Sequence, residues 1–195
     1  MDAKRRRPAA AREVIIRAAT ELIRVNGVSG TSISDVIAAS GTSAGAIYHH
    51  FGNKERLVLE VARSAMAVPM SMILQTSTGL SPAALFSAAL DRVSEEEGIA
   101  EMLLQVWAGA KANEVLQQLL LGEVATVKAS IVEFIAGWCA EHAPGTDPAA
   151  LASVIMGLIT GYAVQRGLGI QIDTAAYREL GVRLLSAAVV TSAGS

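Results

Sequence analysis

The chain is predicted to be all-α, a small N-terminal helix-turn-helix unit of three helices joined to a larger helical body, with about nine helices in total. Three observations predict it. Apolar residues recur at helical spacing along most of the chain, and no run shows the sustained alternation of a half-buried strand. Residues 32–56 hold two short helix patterns that meet at a glycine-containing turn. Serine, asparagine and aspartate stand just before apolar runs, where a helix needs side chains to satisfy its first free amides.

Between residues 9 and 25, Val14, Ile15, Ala18, Ala19, Leu22 and Ile23 form a stripe on one helix face, and Asn26-Gly27 ends it. Ser32 with Asp35 writes a capping box, and Ile33, Val36 and Ile37 follow at helical spacing. Gly41 is free to take a positive φ, so the chain turns there, and Ser43 caps a helix over residues 44–51. Asn53 caps the next, which carries Leu57, Val58 and Val61 and is expected to continue to residue 67, where Pro69 ends or kinks it. Three short helices bury too little to stand alone, so helix 9–25 is their expected packing partner.

A different composition begins beyond Pro69. Residues 74–82 read as a loop, and Ser81-Pro82 as a cap with proline in the first turn of a helix through Leu85, Phe86, Ala89, Leu90 and Val93. Further helices are expected over 99–112 and 113–142. Residues 144–148 form a loop that ends in Asp147-Pro148, then an apolar helix runs to residue 167 and a last one covers 174–190. The implied organisation is a disordered basic arm at 1–8, a head at 9–52, a connecting helix at 53–67, a body at 68–190 and a frayed tail at 191–195.

Composition narrows the function. The 195 residues are 52% hydrophobic, enough for a sizeable core without staples, and the single cysteine, Cys139, leaves no disulfide within the chain. A reducing cytoplasm is the expected setting. The basic N-terminus leads into a charged helix and not an apolar signal core. Residues 64–90 and 148–165 are long and uncharged, but prolines and polar residues split the first, and Ser153, Gly157, Thr160 and Gly161 interrupt the second. Buried helices are expected there, with no membrane partner. Cys/His pairs at ligand spacing, a phosphate loop and a nucleophile elbow are all missing, and Cys139, Glu141 and His142 on one helix are too thin a cluster for catalysis. Neither an enzyme nor a resident cofactor or metal is expected.

Charge is distributed unevenly. The net charge is −2, yet residues 1–63 carry ten basic side chains against six acidic ones, while the other 132 carry six against twelve. A basic head on an acidic body is the asymmetry of a chain whose one end meets phosphates.

The segment over residues 31–56 resembles the DNA-binding head of the tetracycline-repressor (TetR) family, in particular Gly45-Ala46-Ile47-Tyr48-His49-His50-Phe51-Gly52-Asn53-Lys54, and the likeness covers about residues 9–63. It implies a helix-turn-helix DNA-binding domain and an effector-binding and dimerisation domain, and hence a homodimeric repressor that reads a palindromic operator in double-stranded DNA and lets go when a small molecule binds. Ile47 and Phe51 should face inward, with Tyr48 and His49 outward. The small residues Ala44, Gly45 and Ala46 allow close approach to the major groove. Thr42 and Ser43 would present hydroxyls at the helix start, Thr31, Ser32 and Lys54 would hold the backbone on either side, and Arg5, Arg6 and Arg7 would add phosphate contacts. Many family members carry a polar residue where Ala44 and Ala46 stand, so direct base contacts are expected to be few, and Tyr48, His49 and DNA shape to carry specificity.

For the body, Met66, Met70, Phe86, Met102, Trp107, Phe134, Trp138 and Met156 are the expected lining of an adaptable cavity for a mainly hydrophobic or aromatic effector of unknown identity. Leu151, Val154, Ile155, Leu158, Gly161 and Tyr162, with Leu180, Leu184 and Leu185, are the expected dimer face. The alternative is a helical regulator or interaction protein without an effector.

Overall fold

The computed structural model describes the backbone of residues 3–76, 79–95 and 98–190 and the side chains of 10–75, 79–95 and 98–189. Among these the chain forms ten α-helices and no strand. The head holds α1 (Ala3–Asn26), α2 (Ile33–Ser40) and α3 (Ala44–Phe51), and α4 (Lys54–Ala65) leads out of it. The body holds α5 (Ala67–Thr76), α6 (Pro82–Glu95), α7 (Ile99–Lys111), α8 (Glu114–His142), α9 (Pro148–Gly167) and α10 (Thr174–Val190). Counting α4 and α5 as one bent helix recovers the expected nine.

The caps fall where the sequence places them. Ser32 accepts from the Asp35 amide while Asp35 accepts from the Ser32 amide, Ser43 accepts from Ala46, Asn53 from Arg56 and Asp147 from Ala149. Asn113, expected as the first residue of its helix, is the cap before α8 and accepts from Leu116. Gly41 takes φ 65° and ends α2, which turns the chain toward α3.

Three boundaries differ from expectation. Helix α1 already runs from Ala3, through residues read as a disordered arm, where Lys, Arg and Ala are strong helix formers and Pro8 lies in the second turn. The break between α4 and α5 falls at Met66, ahead of Pro69, which lies in the first turns of α5. Helix α5 then extends to Thr76, into the stretch read as a loop.

Two cores hold the molecule together. In the first, Ile15, Ala19 and Ile23 of α1 meet Val36, Ile47, Phe51 and Val61, and Met102, Leu103 and Val106 of α7 complete the same cluster. The head therefore borrows a body helix as well as α1. In the second, Phe86 and Leu90 of α6 pack with Ile131 and Ile135 of α8, Ile155 and Tyr162 of α9, and Leu185 of α10. The stretches Lys54–Gln75 and Pro148–Gly167 are long and apolar enough to cross a membrane by length and composition. The first is broken at Met66, and the second lies against α7 and α8 inside the body.

Head and body meet closely where α7 passes the turn after α1. Gly109 of α7 faces Val28, and a Cβ at Gly109 would stand 2.6 Å from the Val28 Cβ, so only glycine fits. Beside it, the cap residue Asn113 donates its amide to Glu55 of α4 at 3.2 Å.

Candidate nucleic-acid interface and effector cavity

The outward face of the head begins at the two caps. Ser32 is exposed, and its hydroxyl lies 2.7 Å from the Asp35 carboxylate. The hydrogen bonds from the Ser32 side chain and amide hold the Asp35 carboxyl below its usual range. Ser43, Ala44, Gly45, Tyr48 and His49 are also exposed, so the first turn and outer face of α3 are open to a ligand. Nothing crowds Gly45, whose nearest would-be Cβ neighbour is the Ser43 hydroxyl at 3.8 Å. Tyr48 is 54% exposed, while Ile47 and Phe51 are 1% and 4% exposed in the core. Lys54, half-buried at the start of α4, lies close enough to Asp35 to act on its charge.

Thr31 is a correction. It is 3% exposed and its hydroxyl donates to the Gly27 carbonyl at 2.8 Å, so it braces the turn and cannot reach a phosphate. Thr42 is half-buried, its hydroxyl 2.7 Å from that of Ser40, which makes it a turn residue first. The side chains of Arg5, Arg6 and Arg7 lie outside the described residues.

Between α4, α5 and α8 lies a cavity of about 550 Å³. It brings together only two of the residues expected to line it, Met70 and Phe134. Phe86 and Met102 are wholly buried in the two cores. Trp138 stacks on His142, ring centroids 4.8 Å apart, and with Met156 packs on the body core. Met66 packs on the head core at the α4–α5 break, and Trp107 is half-buried away from the cavity. These side chains looked like a lining because hydrophobic character does not distinguish a cavity wall from a filled core.

Charged residues missed in the sequence line the cavity instead: Arg12, Glu60, Arg63, Glu123 and Glu133. Glu60 pairs with Arg12 of α1 and also accepts from Arg63 at 3.0 Å, and Arg63 reaches Glu123 of α8 at 2.8 Å. The two carboxylates, Glu60 first, raise the Arg63 pKa against the opposing effect of burial. Arg12 also lies over the Phe51 ring, 5.8 Å from its centroid, so one chain of contacts runs from the last residue of α3 to the cavity and on to α8. These pairs are partly exposed, which holds each to about 0–1 kcal/mol and makes them easy to exchange. A second groove of about 940 Å³ follows α1 and shares Arg12, Ser64 and Val68 with the first.

The expected dimer residues divide. Val154, Leu180 and Leu184 are about half exposed, and Leu158 and Gly161 are half-buried, which leaves an apolar face on α9 and α10. Leu151, Ile155, Tyr162 and Leu185 are buried in the body core and cannot meet a second copy. The two helices are joined by the Tyr177 hydroxyl, which donates to the Leu158 carbonyl at 2.8 Å, and by the Tyr162 and Thr174 hydroxyls, 2.8 Å apart.

Residues 15–61 match the family of bacterial regulatory proteins of the tetR type. A segment of 61 residues is 38% identical to the HTH-type transcriptional repressor AcnR of Corynebacterium efficiens, covering 31% of this chain and 32% of that one. The chain thus spans about a third of the length of that relative. Among solved structures, one described as a TetR-family transcriptional regulator from Rhodococcus sp. superposes with a TM-score of 0.78 at 20% identity, over 93% of this chain and 99% of the other. FadR of Bacillus subtilis, solved in complex with stearoyl-CoA, gives 0.72 at 18% identity over 89% and 96%. The head, over residues 15–61, is thus similar to the tetR family of bacterial regulatory proteins, and the helices follow the fold of solved structures described as TetR-family regulators.

Proposed function

We propose that the protein is a cytoplasmic, homodimeric transcriptional repressor, not an enzyme, that docks the outer face of α3 in the major groove of a palindromic operator and is released by a small molecule bound in the body. The observation that carries the DNA reading is the exposed run Ser43, Ala44, Gly45, Tyr48 and His49 on a helix whose opposite face is locked in the core. Free amides at the α3 start favour a phosphate, Tyr48 can reach a phosphate or a thymine methyl, and Lys54 and Ser32 hold the backbone beside it. Docking is assigned to residues 9–52, transmission to 53–67, and effector binding and dimerisation to 68–190.

The apolar face of α9 and α10 supports the dimer reading, because a four-helix contact between two copies would cover Val154, Leu180 and Leu184. Two recognition helices so joined must lie about 34–36 Å apart, or a multiple of it, to enter successive grooves. A ligand that shifts α4 in each copy changes that spacing. The effector is small and amphipathic, since apolar side chains and ion pairs share the cavity wall. The stearoyl-CoA complex of FadR, a protein of the same fold, supports a body that takes ligands.

Protection mapping on DNA upstream of the protein's own gene and its neighbours tests this reading. A protected two-fold symmetric site is expected, with binding weakened roughly tenfold, about 1.4 kcal/mol, by Tyr48→Ala and less by Lys54→Ala. Absence of any protected site, or indifference to both substitutions, would overturn it.

A further inference from the structure

Three carboxylates and two guanidiniums line the cavity between α4, α5 and α8, and the pairing among them is uneven. Both guanidiniums are engaged: Arg12 by Glu60, and Arg63 by Glu60 and Glu123. Glu133 lines the same cavity and makes no ion pair among the described residues. Its sequence neighbour Phe134 brings an aromatic ring to the wall, and Met70, Leu74 and Val127 make part of the wall apolar. Among the described residues an anionic ligand would find no free cation in the wall, and it would add a negative charge to a surplus. A cation would find an unpaired carboxylate and an aromatic face.

We propose that the cavity takes a small molecule with a positively charged group on an apolar portion, and that this cation, seated between Glu133 and Glu60, competes with Arg12 for the Glu60 carboxylate. The proposal rests on the cavity being the effector site and adds the ligand's chemical class and the contact it breaks. The contact matters because Arg12 also lies over Phe51 at the end of α3, so a guanidinium released from Glu60 no longer ties α3 to α4. The exchange replaces one cation on Glu60 by another, so the ligand meets little resistance beyond the half-exposed pair itself.

The test titrates the full-length protein with octyltrimethylammonium, octanoate and 1-octanol, each below its micelle or solubility limit, by calorimetry. The ammonium is expected to bind at least tenfold more tightly than octanoate, and Glu133→Gln to reduce its affinity several-fold while leaving 1-octanol unchanged. Glu133 is exposed, so this variant should fold. Octanoate binding as tightly as the ammonium, no heat with the ammonium, or indifference to Glu133→Gln overturns the ligand class. A bulky Ser130→Trp at an exposed position of the wall separates this from the site itself. If that variant leaves all three probes bound as before, the cavity is not where they bind. For the competition step, Arg12→Ala should lower DNA affinity without ligand and remove most of the further loss the ammonium causes. An ammonium response undiminished in Arg12→Ala overturns that step.

Discussion

Thr31 and Ser32 are adjacent, both carry a hydroxyl, and have different uses. The Thr31 hydroxyl is spent on the Gly27 carbonyl inside the head, while Ser32 faces outward and shares a capping box with Asp35. The capping box has a pH signature. Because hydrogen bonds from Ser32 lower the Asp35 pKa in the folded protein, its contribution is complete above the ordinary aspartate value of about 4 and is lost as pH falls through the lowered one. Thermal melts of wild type and Asp35→Asn between pH 6 and pH 2.5 should show a gap that narrows only at the acid end; a constant gap would deny Asp35 this role. Gly109 is the other residue with a sharp expectation. Its Cβ position is occupied by Val28, a stiff β-branched neighbour, so Gly109→Ala should cost roughly 1–3 kcal/mol in urea unfolding. An unchanged midpoint would mean that the head–body joint yields freely.

Among the elements, those bounded by local chemistry were legible from sequence. Ser32, Ser43, Asn53 and Asp147 act within three residues of themselves, so each announced a helix start that the structure keeps. The break at Met66 was misplaced by a residue or two because Pro69, the visible breaker, is tolerated in the first turns of α5. The cavity was not legible. Arg12 and Glu60 stand 48 positions apart, and Arg63 and Glu123 stand 60 apart, distances over which no periodicity pairs two charges. For α9 and α10, spacing identified the apolar residues but not which of them face inward. The exposed ones carry a prediction: Leu184→Glu should leave the fold intact and convert the proposed dimer to a monomer in sedimentation. A dimer that persists would move the interface elsewhere.

Over the whole molecule, a basic head and an acidic body share a continuous first core, in which α7 closes the cluster begun by α1. On the proposed function, a movement in the body would have two routes to the head, the packed side chains of this core and α4. Met102 is wholly buried in that core. Cys139, 2% exposed and with its thiol pKa raised by burial, is a core residue and gives the chain no reactive thiol. The central claim is that the α3 face docks on phosphates and bases, and the salt dependence of operator affinity tests it most directly. Each neutralised phosphate contributes about 0.9 to the slope of log K against log salt, so Lys54→Ala, removing one contact from each of two heads, should reduce the slope by about 1.8. A slope that Lys54→Ala leaves unchanged, or an affinity insensitive to salt, would contradict the account.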